Sequence, residues 1–291
     1  MAREKMDTRE LGLVLGQQIL GVDDLHYGYW DDSLELSFAN LPTAQARYTE
    51  QLLDVFPPAG ETKRVLDVGC GTGNTMAALI NRGYRVDGMI PSASLARIVR
   101  ERMEALPEND AQVFECKLEE FDTERNAGKY DVILFSESFQ YIWMEDSFPV
   151  LEKILRPGGR IIICDFFKTP AHEDGGAGDH AMSGGHHLDE FYEEVKARGF
   201  DIELDRDITP HMSPNFKLLN DLLMIKTKPV LETCSLYLGS RYPKTWGFLK
   251  WAFRKRWKKL NYKYLSGHRS PEVFEKYKTY RLVILRDGRR A

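Results

Sequence analysis

Residues 65–73 read Val-Leu-Asp-Val-Gly-Cys-Gly-Thr-Gly, and no other stretch limits the fold of this chain so tightly. The apolar run Val65–Val68, interrupted only by Asp67, has the pattern of a strand buried in a parallel sheet. Gly69, Gly71 and Gly73 then permit a sharp turn and a close backbone approach to a ligand. Residues 75–80 follow as a good helix opening. Strand, glycine turn and helix, in that order, form the nucleotide-binding corner of a doubly wound α/β sheet. The spacing is G-x-G-x-G, whereas a pyrophosphate seated on a helix N-terminus calls for G-x-G-x-x-G. An adenosyl ligand without phosphate fits it better.

The rest of the chain extends the alternation. A helix is predicted over 43–56, and strands at 64–68, 85–89, 112–116, 130–136, 160–165, 200–205 and 280–286. Helices at 94–106 and 188–198 fall between them. This predicts a mostly parallel seven-stranded sheet with right-handed crossovers, its last strand returning to the sheet edge. The expected organisation is an N-terminal cap (1–42), an α/β core (43–209), a helical substrate lid (210–279) and the final strand (280–291). A length of 291 residues suits one large domain with an appendage. The four cysteines, Cys70, Cys116, Cys164 and Cys234, form no C-x-x-C pair and suit reduced thiols better than a disulfide frame or a zinc site. The charged N-terminus lacks the apolar core of a secretion signal, and no apolar run is long enough to span a bilayer. A cytoplasmic location is the expectation.

The 65–73 motif, with its Asp two residues before the first Gly, resembles the first motif of class I methyltransferases that use S-adenosylmethionine. Leu155-Arg156-Pro157-Gly158-Gly159, ahead of an Ile-Ile-Ile run, resembles the turn before their fifth strand. Together the motifs cover roughly residues 60–170. The resemblance implies a Rossmann-like fold and S-adenosyl-L-methionine as cofactor, held at Asp67, Gly69, Cys70, Gly71 and Gly73. In that family an acid at the end of strand two usually holds the ribose; here Ile90 stands there, followed by Pro91. Asp87, three residues earlier, should point elsewhere on a strand of period two. A second acid, near the adenine amine, aligns with Lys117, beside Leu118, with Glu119 two positions on. A non-acidic strand-two turn is shared with cyclopropane fatty acid synthases and the tocopherol, sterol and sugar methyltransferases similar to them. These often carry a segment like His26-Tyr27-Gly28-Tyr29-Trp30 before the core. It is expected to fold over the cofactor and the substrate mouth, with Tyr27 near the sulfonium. The alternative is that its aromatic rings only staple the N-terminal helix to the core.

Candidate chemistry lies where ligands of such sheets sit, outside the carboxyl ends of the strands. After strand four the chain reads Ser136-Glu137-Ser138-Phe139-Gln140-Tyr141. Ser136 lies beside the cofactor. Glu137 can orient the methionine amino group or a substrate hydroxyl, or else partner a helix N-terminus. Tyr141, where the tocopherol-like enzymes often have His, can hydrogen-bond the acceptor. His186, in a glycine-rich loop after strand five, titrates near neutrality and is the candidate base, with a solvated hinge as its alternative. The histidines of that loop lack a fixed metal-ligand spacing, and no metal is expected.

Residues 241–264 contain no acid. Lys244, Lys250, Arg254, Lys255, Arg256, Lys258, Lys259 and Lys263 alternate with Trp246, Leu249, Phe253, Trp257 and Leu260, whose steps of three and four predict one apolar helical face. A solvated cationic face, contact with anionic lipid, and capture of an acidic or carrier-bound substrate are the competing readings. No nucleic acid is expected. The expected activity is methyl transfer to a small, hydrophobic acceptor of lipid, quinone or polyketide-like character. A cyclopropane-forming enzyme and an inactive binding protein are the rivals.

Overall fold

The computed structural model describes residues 21–24, 26–61, 64–107, 109–182 and 184–288. Residues 1–20 of the expected cap and 289–291 of the expected last segment lie outside them. Seven strands make one sheet: β1 (Val65–Val68), β2 (Val86–Met89), β3 (Val113–Phe114), β4 (Tyr130–Ser136), β5 (Leu155–Lys168), β6 (Phe200–Asp207) and β7 (Lys278–Asp287). Their order is β3-β2-β1-β4-β5-β7-β6. Strands β1 to β5 pair in parallel, and β7 runs antiparallel to both its neighbours.

The final strand therefore does not return to the edge. It inserts between β5 and β6, and the residues explain why. Leu282, Val283 and Leu285 are buried on successive faces, so β7 is apolar on both sides as an interior strand must be. β6 carries Asp201, Glu203, Asp205 and Arg206, charges that suit an open edge. A second difference concerns 155–159. These residues form the bulged entry to β5, its register shifting between Tyr130 and Val132 of β4, in place of a separate turn.

Helices α1 (Leu41–Leu53), α2 (Asn74–Asn81) and α3 (Ala93–Glu104) cover one face; α4 (Met144–Ile154) and α5 (Leu188–Ala197) cover the other. The strand period divides the core. Val132 and Leu134 of β4 pack with Met76, Leu79 and Val99, whereas Ile133 and Phe135 pack with Phe148, Leu151 and Phe191. Each such fully buried side chain contributes about 1.5–3 kcal/mol of burial free energy. Two filled layers hold the sheet between helices and leave the strand ends free to build a site.

After β6 come a short helical turn (Thr209–Met212), α6 (Pro214–Asp221), a π turn (Leu222–Thr227), α7 (Lys228–Arg241), α8 (Pro243–Ala252), α9 (Arg254–Tyr264) and α10 (Pro271–Tyr277). The single amphipathic helix expected over 241–264 is broken twice. Tyr242 precedes a proline and leaves the helical region (φ −135°, ψ 60°), and Phe253 sits at φ −99°, ψ 8°.

Candidate active site

The parallel register brings separate loops to one place. Val68 pairs with Met89 and with Phe135, and Met89 pairs with Phe114, so the loops after β1, β2, β3 and β4 leave the same edge of the sheet. The chain order reverses between β1 and β4, which is where an open α/β sheet leaves a crevice. A cavity of about 1030 Å³ opens there.

Asp67 forms part of its floor. The residue is 1% exposed, its Oδ2 has no hydrogen-bond partner among the described residues, and burial pushes its carboxyl up to about 7. A buried polar atom without a partner is rare, and one at a cavity wall is completed by a ligand donor such as an ammonium or hydroxyl. Gly69 follows at φ +79°, and a Cβ there would stand 2.5 Å from the Cβ of Ser138. The Ser138 hydroxyl donates to the carbonyl of Val68, so the β1 and β4 loops are locked together. Only a glycine admits that approach. Cys70 and Gly71 continue the wall, but Gly73 does not; it caps α2 at φ +81° and packs toward Val99.

Ile90, Pro91 and Leu118 line the next wall, with Ser136 beyond them and the exposed Lys117 and Glu119 at the margin. Asp87 points the other way, as its place in the strand predicts. It pairs with Arg64 (2.6 Å) and Lys129 (3.0 Å) and accepts from the Tyr130 hydroxyl (3.0 Å), a buried structural network.

The segment before α1 straps these loops together. Asn74 Nδ2 donates to Asp24 (2.7 Å), Thr72 Oγ1 to the carbonyl of Asp23 (3.1 Å), and Gln45 Nε2 to the carbonyl of His26 (2.7 Å). Asn215 of α6 accepts from Gly28 N–H (2.9 Å) and the Trp30 indole (3.0 Å), and its amide donates to the Gly28 carbonyl (2.7 Å). The two readings of the aromatic segment divide between its members. Tyr29 stacks on His211 at 4.3 Å and Trp30 is buried, so these rings staple; Tyr27 and His26 line the cavity.

Glu137 stands at the mouth of β4 with φ +54°, a conformation that costs a non-glycine residue energy. Its N–H donates to the Cys164 carbonyl (2.9 Å), which holds the backbone there. Its Oε1 accepts from Tyr27 N–H (2.9 Å) and from the Tyr280 hydroxyl (2.8 Å). Burial outweighs both hydrogen bonds and pushes the carboxyl up to about 8. Tyr141 also lines the cavity but is 57% exposed, at the rim beside Trp143.

His186 does not reach this site. Its ring packs edge-on to Phe139 at 5.1 Å, Nε2 lies 3.1 Å from the Phe139 carbonyl oxygen, and burial holds its pKa below the usual value. A histidine beside two glycines offered no sign of that packing. Sequence reading also missed Asp24, Gln45, Asn74 and Asn215, whose partners lie far along the chain, and Leu218, Leu219 and Leu222, which roof the cavity from α6 and the π turn. No residue of 228–264 lines it.

Residues 65–159 match the family described as methyltransferase domain. The chain is 27% identical over 209 residues to the 27-O-demethylrifamycin SV methyltransferase of Amycolatopsis mediterranei, a match covering 67% of this chain and 72% of that one. It is 30% identical over 132 residues to an uncharacterized methyltransferase of Mycobacterium tuberculosis, covering 44% of this chain and about half (51%) of that relative. Among solved structures, a geranyl diphosphate methyltransferase in complex with GPP and sinefungin superposes with a TM-score of 0.67 at 19% identity, over 94% of this chain and 93% of that one. With the matched domain, the seven-stranded order and the glycine-walled cavity in view, the chain carries a methyltransferase domain at residues 65–159, set in the sheet of a class I S-adenosylmethionine-dependent enzyme.

Proposed function

We propose that the methyl acceptor is a hydrophobic small molecule with an ionisable hydroxyl, and that Glu137 takes its proton. S-adenosylmethionine, when bound, supplies a methyl group on a positively charged sulfur. The residues present fit such a molecule. The partnerless Asp67 oxygen suits its ammonium, Gly69 and Gly71 line the cavity without a Cβ, and Ile90, Pro91 and Leu118 offer an apolar wall to the adenosyl group. Lys117 and Glu119 stand at the margin of that wall, and Ser136 and Tyr27 near the centre.

Methyl transfer is an in-line displacement that depends on alignment and exclusion of water. Leu218, Leu219 and Leu222 close the acceptor side with apolar surface, which supports lipid, quinone or polyketide-like acceptors over charged ones. A relative named for 27-O-demethylrifamycin SV supports an oxygen as the attacked atom. One observation carries the reading: the buried Glu137 carboxyl, pushed up to about 8, lines the cavity that Leu218, Leu219 and Leu222 roof, held there by two hydrogen bonds and a strained backbone. A base near that value matches the proton of a phenol or enol and works near neutral pH. Tyr141, at the rim, is placed to meet the polar end of the acceptor.

The Glu137→Gln variant tests it against a panel of phenolic, quinol and lipid acceptors. The expected result is a fall in kcat of about 10²–10⁴, with S-adenosylhomocysteine affinity nearly unchanged. In the parent protein kcat should rise with pH up to about 8, the value of the Glu137 carboxyl. A variant with unaltered kcat and an unaltered pH profile would remove the base from Glu137.

A further inference from the structure

Helices α7, α8 and α9 contain no buried residue. Of the sixteen exposed large hydrophobic side chains among the described residues, ten lie on them and two more, Tyr242 and Phe253, at the breaks between them. Phe248 is 62% and Trp251 63% exposed, and Phe253, Trp257 and Leu260 follow at about half exposure or more. The same helices carry the strongest charge of the molecule. Residues 241–264 hold nine of the chain's 40 lysines and arginines and none of its 44 acids.

These features belong together in space. Lys250 sits over the Trp246 ring (5.4 Å) and Arg254 over Trp251 (6.0 Å), so the cations flank the rings with no carboxylate between them. We infer that α7–α9 form a docking surface for a membrane rich in anionic lipid. An exposed apolar patch of this extent marks a surface that something covers. Its composition selects the partner. The core of a protein interface is depleted in charge, and lysine above all. Here every ring of α8 and α9 has a cation within a few residues. A lipid headgroup region accepts both at once, with rings at the acyl boundary and ammonium groups among the phosphates.

The two helix breaks serve this arrangement. The bends at Tyr242 and Phe253 divide the run into three short rods, each with exposed apolar side chains. The surface is also continuous with the cavity roof. Leu218, Leu219 and Leu222 line the cavity, and the π turn beginning at Leu222 leads directly into α7. An apolar acceptor dissolved in the bilayer would thus meet the cavity through one unbroken helical run. The docking surface itself does not depend on the assignment of the acceptor.

The test is cosedimentation of the full chain with phosphatidylcholine vesicles prepared with and without phosphatidylglycerol, followed also by tryptophan emission. The expected result is binding to the anionic vesicles, a blue shift, and little binding to the neutral ones. Raising salt from about 0.1 to about 1 M, which shortens the screening length from about 10 to about 3 Å, should release the protein. Phe248→Ser with Trp251→Ser, and separately Lys255→Glu with Lys259→Glu, should each weaken binding at least about tenfold. Both variants should keep normal S-adenosylhomocysteine affinity, since none of these residues lines the cavity. That control separates failure of the surface from failure of the cofactor site. Absence of binding, equal binding to neutral vesicles, dimerisation that hides the tryptophans, or binding to an acidic carrier protein in place of vesicles would each overturn the proposal.

Discussion

Two carboxyls set the chemistry of the site, and both are displaced in the same direction. Burial pushes Asp67 up to about 7 and Glu137 up to about 8. In the unfolded chain both titrate near about 4. The ligand-free fold therefore binds these two protons more tightly than the unfolded chain does. Their contribution to stability is complete below about pH 4 and is lost as pH rises through about 7 for Asp67 and about 8 for Glu137. Thermal melts of the ligand-free protein should show Tm falling across that window, and S-adenosylhomocysteine should recover part of the loss above about pH 7 by giving Asp67 a cation. The fall should be shallower in Asp67→Asn and in Glu137→Gln, and a pH profile of Tm unchanged in both variants would show that neither carboxyl contributes as described. Asp67 was legible in the sequence because its neighbours are a strand and three glycines. Glu137 was legible by place, but its strained backbone and its Tyr280 partner, from the last strand, were not.

Among the elements, the strap of residues 26–30 does the most to assemble the cavity, through Asn215. That one amide accepts from Gly28 N–H and the Trp30 indole and donates to the Gly28 and Met212 carbonyls. Asn215→Ala leaves four buried polar groups without this partner, and the expected loss is about 3 kcal/mol in denaturant unfolding. A loss no larger than that of a surface substitution, about 0.5 kcal/mol, would contradict the assigned role. Asn215 gave no sequence signal, because the Gly28 groups it holds lie 187 residues away. Local pattern served well where neighbours in sequence decide the outcome. The first four strands follow from it. It failed where distant packing decides: β7 took an interior place, His186 turned onto Phe139, and the 241–264 helix bent at Tyr242 and Phe253.

On the scale of the whole molecule, the sheet, its strap and the exposed helices divide three tasks. The strand ends fix the loops around Asp67 and Glu137, the strap and α6 close over them, and α7–α9 face outward. No described helix is long and apolar enough to cross a membrane. All of this depends on the cavity being the S-adenosylmethionine site with Asp67 at its floor. The measurement that reaches this most directly is calorimetric titration with S-adenosylmethionine, S-adenosylhomocysteine and NAD, at pH below and above the Asp67 value, in the parent protein and in Asp67→Asn. The expected result is micromolar binding of both adenosyl ligands, tighter above about pH 7, with the pH dependence gone and affinity reduced at least about tenfold in Asp67→Asn, and no binding of NAD. Equal affinities in parent and variant at both pH values, or preferential binding of NAD, would contradict it.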